Sequence, residues 1–307
     1  MGEIIKTENV TKKYGKIHAV DAISLCVKKG EIYGFIGLNG AGKTTTIRML
    51  LGLINPSSGT CWLNDKKVQS SITNIWDKVG YLVEIPYSYP ELTVRENLEI
   101  IRRLRFISDP GSVDRVIEKL RLRPYQNMKA KHLSLGNAQR LGLAKAIIHN
   151  PEILILDEPA NGLDPAGIVE IREMLQNLAL NRGVTIFVSS HILGEVSKFA
   201  TRIGIIHEGK LIQESNAEDI DRLRYRSLHV NTHHNQGAIS LLSARGYSVS
   251  TMREEFFEVS GNEAITCPEQ VASLLVQEGY PPVLIKVEEE ELESYFLRMV
   301  GMSGGVK

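Results

Sequence analysis

Three cysteines in 307 residues, Cys26, Cys61 and Cys267, are too few and too widely spaced for a disulfide framework or a zinc site, and a reducing cytosol fits them. Net charge is missing as well. With 36 Lys plus Arg against 36 Asp plus Glu, no bulk field draws the chain to nucleic acid or to an anionic membrane. No apolar run reaches the roughly 18 residues that a spanning helix needs. Met1-Gly2-Glu3-Ile4-Ile5-Lys6 lacks the apolar stretch expected of a signal peptide. If the protein serves a membrane process, other chains are expected to do the spanning. What remains is an ordinary globular composition, 43% hydrophobic and 23% charged, in a length that predicts about two domains. The densest basic run, Arg95 with Arg102, Arg103 and Arg105, falls on a predicted helix and reads as a solvated face.

The chain is organised around Gly37-Leu38-Asn39-Gly40-Ala41-Gly42-Lys43-Thr44-Thr45. It follows Glu31-Ile32-Tyr33-Gly34-Phe35-Ile36, a predicted short buried strand, and precedes the predicted helix opening at Thr46. Strand, glycine loop and helix in that order make a phosphate cradle. Glycine lets successive backbone N–H groups turn inward, and the helix start adds its positive dipole end. Lys43 would reach the β- and γ-phosphates of a nucleotide, and the Thr44 hydroxyl would be one ligand of Mg²⁺. Upstream, Tyr14 in the polar turn 12–16 could stack on a base, although alone it reads as a strand-edge residue.

Thr93-Val94-Arg95-Glu96 is a capping box opening a helix, and helical periodicity returns over 113–122. This region, about residues 86–150, reads as a helical insertion. It ends at Leu133-Ser134-Leu135-Gly136-Asn137-Ala138-Gln139, where Ser134 predicts a helix N-cap and Gly136 permits close approach of a ligand. Taken alone, that segment is only a cap. The apolar run 153–156 predicts a strand buried on both faces and ends in Asp157-Glu158. Carboxylates at that end of a parallel strand lie where ligands bind in open α/β sheets. Asp157 would hold the metal, directly or through water, and Glu158 would polarise an attacking water. Asn161-Gly162-Leu163-Asp164 is a turn before a predicted helix 166–180. The strand 184–188 leads to His191, which alone would more simply be structural.

Together these motifs resemble, over about the first 220 residues, those of the ATP-binding-cassette (ABC) transporter ATPases. Residues 37–45 resemble that family's Walker A, 133–139 stand in the place of its LSGGQ signature, and 153–158 resemble Walker B with the catalytic glutamate. Asn161 to Asp164 looks like the D-loop, His191 the switch histidine and Tyr14 the adenine-stacking aromatic. The resemblance implies an α/β P-loop cassette: a mixed sheet, N-terminal antiparallel strands and a helical subdomain, filling residues 1–222. It implies Mg²⁺-dependent ATP hydrolysis and two cassettes paired head to tail, with Ser134 and Gly136 acting on the partner's ATP. It also implies a place on the cytoplasmic face of the membrane, through separate permease subunits.

Three positions depart from the family pattern. Leu135 stands where the signature usually has its first glycine, Asn137 where it usually has glutamine, and Glu84 where the Q-loop usually has glutamine. Glu84 would add a carboxylate near Mg²⁺ and change the link between nucleotide state and partner. With Leu92-Thr93-Val94-Arg95-Glu96-Asn97-Leu98 it resembles the bacitracin-resistance and lantibiotic-immunity branch, which implies peptide-antibiotic export. Two other readings are a cassette switch on ribosomes or DNA and a GTPase or small-molecule kinase. Neither the basic extensions of the first nor the Asn-Lys-x-Asp motif of the second occurs.

Residues 226–307 predict strand, helix, strand, strand, helix, strand and a last helix, a ferredoxin-like α+β order. Thr266 with Glu269 reads as a capping box for the second helix. His229, His233 and His234 read as solvated loop residues, without ligand spacing or a carboxylate partner. Dimer contact or regulation is the expected role.

Overall fold

The computed structural model describes residues 2–68, 75–84, 87–253 and 256–301, so Ile85 and Pro86 of the Q-loop segment lie outside the described residues. Two compact units divide the chain, 1–219 and 220–307. Along the first run β1 (Glu3–Tyr14), β2 (Ile17–Lys28), β3 (Ile32–Ile36), α1 (Lys43–Leu50), β4 (Ser58–Leu63), β5 (Lys66–Lys67) and β6 (Val79–Leu82). Next come α2 (Val94–Leu104), α3 (Ser112–Lys119), α4 (Leu135–Ile147), β7 (Ile153–Asp157), α5 (Pro165–Arg182) and β8 (Thr185–Ser190). The short α6 (Leu193–Val196), then β9 (Arg202–His207), β10 (Lys210–Asn216) and α7 (Ala217–Leu223) follow, α7 spanning the division.

An antiparallel sheet of order β2-β1-β4-β5 and a six-stranded sheet of order β10-β9-β3-β8-β7-β6 make up the first unit. Strands β9, β3, β8, β7 and β6 are parallel, with β10 antiparallel at the edge. Every residue of β3 and β7 is buried, which is why both read as unbroken apolar runs rather than alternating ones. Phe187 of β8 stacks on Tyr33 at 5.4 Å and tilts against Phe35 at 5.3 Å, locking the register of the two central strands. Parallel pairing brings the C-terminal ends of β3, β7 and β8 together, so the segments after Ile36, Asp157 and Ser190 are neighbours.

The predicted turn 12–16 is shorter than expected. Strand β1 continues through Tyr14, which pairs with Ile17, and only Gly15 and Lys16 make the turn. The capping box at Thr93 is present: its hydroxyl accepts from Glu96 N while Glu96 Oε2 accepts from Thr93 N at 2.7 Å. The basic run is paired rather than merely solvated. Arg102 and Arg103 share Glu99, Arg95 meets Asp114, and Arg105 donates to the carbonyls of Trp76 and Val79.

In the second unit β11 (Arg226–Thr232), α8 (Asn235–Ala244), β12 (Ser248–Arg253), β13 (Phe256–Ser260), α9 (Asn262–Thr266), α10 (Pro268–Gln277), β14 (Pro282–Glu289) and α11 (Leu292–Met299) follow in turn. Its antiparallel sheet has the order β12-β13-β11-β14 and buries Leu228, Val230, Phe257 and Val259 with residues of α8, α9 and α10. Two expectations fail here. Thr266 ends the extra helix α9, its hydroxyl donating to Asn262 O, and α10 is preceded by Cys267 with no side-chain cap. His229 lies in a strand, and the two-residue period puts it beside Glu258, whose Oε1 is 2.8 Å from Nε2. His234 caps α8 by accepting from Gly237 N. Among the described residues no group of three or more His, Cys, Asp or Glu is placed to hold a metal.

Candidate ATP site

The loop after β3 is packed closely from behind. A Cβ on Gly37 would lie 2.6 Å from Ile206 O, and one on Gly42, whose φ is 109°, 2.5 Å from Ala19 O, so neither position admits a side chain without displacing backbone. Its far side is left to a ligand. Helix α1 starts at Lys43 without a side-chain cap and without an acid in its first turn, so its terminal N–H groups and dipole are available to an anion. Asn39 and Gly40 are exposed, Ala41 is buried, and Thr45 is half-buried in the first turn of α1. Lys43 is 6% exposed, and its ammonium donates to Gly37 O at 2.7 Å and Leu38 O at 3.2 Å.

Thr44 meets the end of β7. Its hydroxyl donates to Asp157 Oδ2 at 2.8 Å, while Asp157 Oδ1 accepts from Ser189 Oγ at 2.6 Å. Asp157 is 3% exposed, so two neutral hydroxyls hold a buried carboxylate that has no ion-pair partner among the described residues. That is an expensive arrangement unless a cation joins it. A hydroxyl and a carboxylate oxygen side by side are the hard donors that Mg²⁺ takes, and the pair fits that ion.

Glu158 adopts a left-handed φ of 48°, and its backbone N donates to Ser189 Oγ at 3.0 Å. The adjacent carboxylates therefore meet different partners. Glu158 Oε2 lies 2.8 Å from His191 Nδ1, and Oε1 lies 3.2 Å from Lys43 Nζ, off the direction of a hydrogen bond and otherwise unpartnered among the described residues. Gln139, buried on α4, donates to Glu158 O at 3.2 Å and ties the helix that begins at Ser134 to this turn. One interlocked group thus contains Lys43, Thr44, Asp157, Glu158 and His191. Sequence reasoning missed Ser189 and Gln139; the available signal was a hydroxyl closing a buried apolar strand and an amide on an otherwise apolar helix face.

A second group is more exposed. Ser134 caps α4, accepting from Asn137 N at 3.3 Å, and Asp164 caps α5, accepting from Gly167 N at 2.9 Å. Leu135 and Gly162 bring the two helix starts together: a Cβ on Gly162 would lie 2.4 Å from Leu135 Cδ2, and one on Gly136 would lie 3.0 Å from Gly162 O. Tyr14 is half exposed at the tip of β1, with the Lys12 ammonium 5.3 Å from its ring centre. Glu84 follows β6, which pairs in parallel with β7. It has φ 56°, is largely exposed, and forms an ion pair with Arg48 of α1. The left-handed backbone after β6 and that guanidinium hold it in a groove beside the site.

The ABC transporter family profile matches residues 20–161. A bacitracin transport ATP-binding protein, BcrA of Bacillus licheniformis, is 40% identical over 98% of this chain and 98% of its own length. The chain belongs to the ABC transporter ATP-binding proteins. Lantibiotic transport ATP-binding protein SrtF of Streptococcus pyogenes is 36% identical over 72% of this chain and 94% of its own. Among solved structures, the dimeric cassette MJ0796 superimposes with a TM-score of 0.65 at 28% identity, covering 70% of this chain and 99% of that one. A second MJ0796 dimer, described as a post-hydrolysis state bound to ADP and Pi, gives the same score at 26% identity. The cassette therefore has the fold of an ABC ATPase, a family that hydrolyses ATP, and these relatives do not favour a switch on ribosomes or DNA. Among the described residues no helix is long and apolar enough to cross a membrane.

Proposed function

We propose that this cassette is the Mg²⁺-dependent ATPase of an exporter for peptide antibiotics of the bacitracin or lantibiotic kind, working as a dimer on the cytoplasmic face beneath separate membrane subunits. The interlocked group carries the ATPase reading: Thr44 on Asp157, and Lys43 and His191 on the two oxygens of Glu158. The cargo class rests on the likeness to bacitracin transport ATP-binding proteins over nearly the whole chain and to a lantibiotic transport ATP-binding protein over 72% of it.

In this reading the N–H groups of residues 37–45 and the Lys43 ammonium bind the β- and γ-phosphates, and Tyr14 stacks on adenine. Thr44 Oγ1 and Asp157 would hold Mg²⁺, which when bound neutralises charge on the β- and γ-phosphate oxygens. Glu158 accepts the proton of a water that attacks the γ-phosphorus. The new P–O bond forms as the bond to the bridging oxygen breaks, leaving ADP and inorganic phosphate. His191 holds Glu158 in position, and Gln139 fixes the backbone beneath it. Ser134, Gly136 and Asp164 face the ATP of the second cassette, where a helix N-terminus stabilises charge developing on the γ-phosphate.

A groove of about 590 Å³ lined in part by Arg48, Tyr81, Glu84, Tyr87, Leu104 and Lys145 is where we place the membrane subunit. It exposes aromatic and aliphatic surface next to charged groups, the composition of an interface. Glu84 would then report nucleotide state to that partner through Arg48. We read residues 1–222 as the cassette and 226–307 as a ferredoxin-like domain, a reading that the strand order supports, with β11 second from one edge and β13 between β11 and β12 as in a split βαβ unit. We assign it accessory dimer contact or regulation.

Glu158→Gln tests the reading. The variant should bind ATP as the parent does, lose two to three orders of magnitude in turnover, and accumulate an ATP-bound dimer in sedimentation. A Glu158→Gln protein that stays monomeric in saturating ATP would contradict the shared site.

A further inference from the structure

A cavity of about 390 Å³ opens at the end of the parallel sheet opposite the nucleotide loops, and nothing in the ATPase reading uses it. It lies where Val184 leads into β8, Pro151 and Glu152 lead into β7, and Lys29 precedes β3. The five residues of β7 put it about 16 Å from Asp157. Four cations line it: Lys29, Arg115 and Lys119 of α3, and Arg182 at the end of α5. The single lining acid, Glu152, is engaged by Lys78 at 2.7 Å, and Arg115 meets Asp109. Among the described residues, Lys29 and Lys119 have no carboxylate within ion-pair distance, and Arg182 has only the neutral side chain of Asn150 at 3.1 Å. This is an unmatched concentration of positive charge in a chain that is neutral overall. Burial and the nearby Arg182 guanidinium both disfavour the charged form of Lys119, a penalty that a bound anion would relieve. The floor is apolar, with Val116, Ile148, Leu178 and Val184 on it.

We infer that this cavity binds an anionic head carried on a short apolar stem, the chemistry of an alkyl phosphate. Charged rim and apolar floor take the two ends of such a molecule, and the volume is that of a small-ligand pocket. The occupant would touch α3, the end of α4 and α5, the latter two being the helices that begin at Ser134 and Asp164.

Calorimetric titration of the full chain with octyl phosphate, its nucleotide site filled with Mg-ADP, tests this. One saturable site per chain is expected, with inorganic phosphate at least tenfold weaker and octyl glucoside, which has the stem without the charge, not binding. Lys119→Gln with Arg182→Gln should weaken octyl phosphate at least tenfold while ADP affinity stays unchanged. Should that double variant lose ADP binding, Lys29→Gln decides instead, with a loss of about threefold expected from one rim charge. Cosedimentation with phosphatidylglycerol vesicles but not with phosphatidylcholine, lost in the same variant, assigns the head to a lipid. Soluble binding without cosedimentation assigns it to a free organic anion. Absence of a saturable site, equal affinity in the charge variant, or equal binding of octyl glucoside overturns the inference.

Discussion

The two motif groups of the cassette are built differently. Around Lys43 and Asp157, 6% and 3% exposed, the polar atoms find one another: ammonium on carbonyls and Glu158, hydroxyls on Asp157, imidazole on Glu158. Around Ser134, the cap oxygen serves its own helix turn and no other group among the described residues, and Leu135 is 62% exposed. The fold alone assembles the first group, whereas the second presents a helix start outward. Head-to-tail pairing of two copies would use both, and each group should fail in its own way.

Lys43→Ala should give the largest effect, a loss of nucleotide affinity of about 10²-fold or more, because the buried ammonium that would meet the phosphates is gone. Equilibrium binding of a fluorescent ATP analogue measures it. Set beside Glu158→Gln, which keeps affinity and loses turnover, it separates holding from hydrolysing within the first group. If both variants lost affinity equally, Lys43 and Glu158 would act as one ion pair and the division of labour would be wrong.

Gly162→Ala breaks the second group. Its new methyl would meet Leu135 Cδ2 at 2.4 Å from a backbone with φ of 76°, which should cost about 1–3 kcal/mol of stability from overpacking and backbone strain. Leu135→Gly on that background should recover the overpacking part and leave about 1 kcal/mol for the left-handed backbone. Urea unfolding of the four proteins of the cycle gives the coupling. Additive effects would mean that Leu135 and Gly162 do not restrain one another. Smaller still, Glu84→Gln should leave ATP affinity unchanged and shift turnover a few-fold only when the membrane subunits are present. Equal stimulation of both forms by those subunits would remove Glu84 from the coupling path.

How much was legible follows from how local each signal is. The cradle 37–45, the capping box at Thr93 and the buried runs of β3 and β7 were readable because each is set by a few adjacent residues. Ser189 and Gln139 were not, since their partners lie 32 and 19 residues away and only the sheet order brings them together. The ion pair of Glu84 with Arg48 was not legible for the same reason: a motif position says nothing of a partner one helix away. Helix α9 took Thr266 from its expected cap because a five-residue helix is too short to show a period. His229 found Glu258 through a strand register that spacing within one segment does not contain.

A further predicted effect lies away from both groups, where α4 packs on β6. Beyond its end, His149 Nε2 donates to Val79 O at 3.1 Å while Nδ1 is buried without a partner among the described residues. Burial, and after it the charge of Arg105, push this imidazole from 6.5 down to about 4. A depressed folded value means that the unfolded chain takes the proton first. The stabilising contribution is therefore complete above pH 6.5, falls as pH drops from 6.5 to about 4, and changes no further below that. Discounted for partial access to water, it amounts to about 1–2 kcal/mol. Gln at this position can keep the bond to Val79 and cannot titrate, so His149→Gln should flatten the stability profile between pH 6.5 and 4 relative to the parent. Parallel profiles through that window would mean that His149 charges in the folded protein, and that the seam between α4 and β6 admits water.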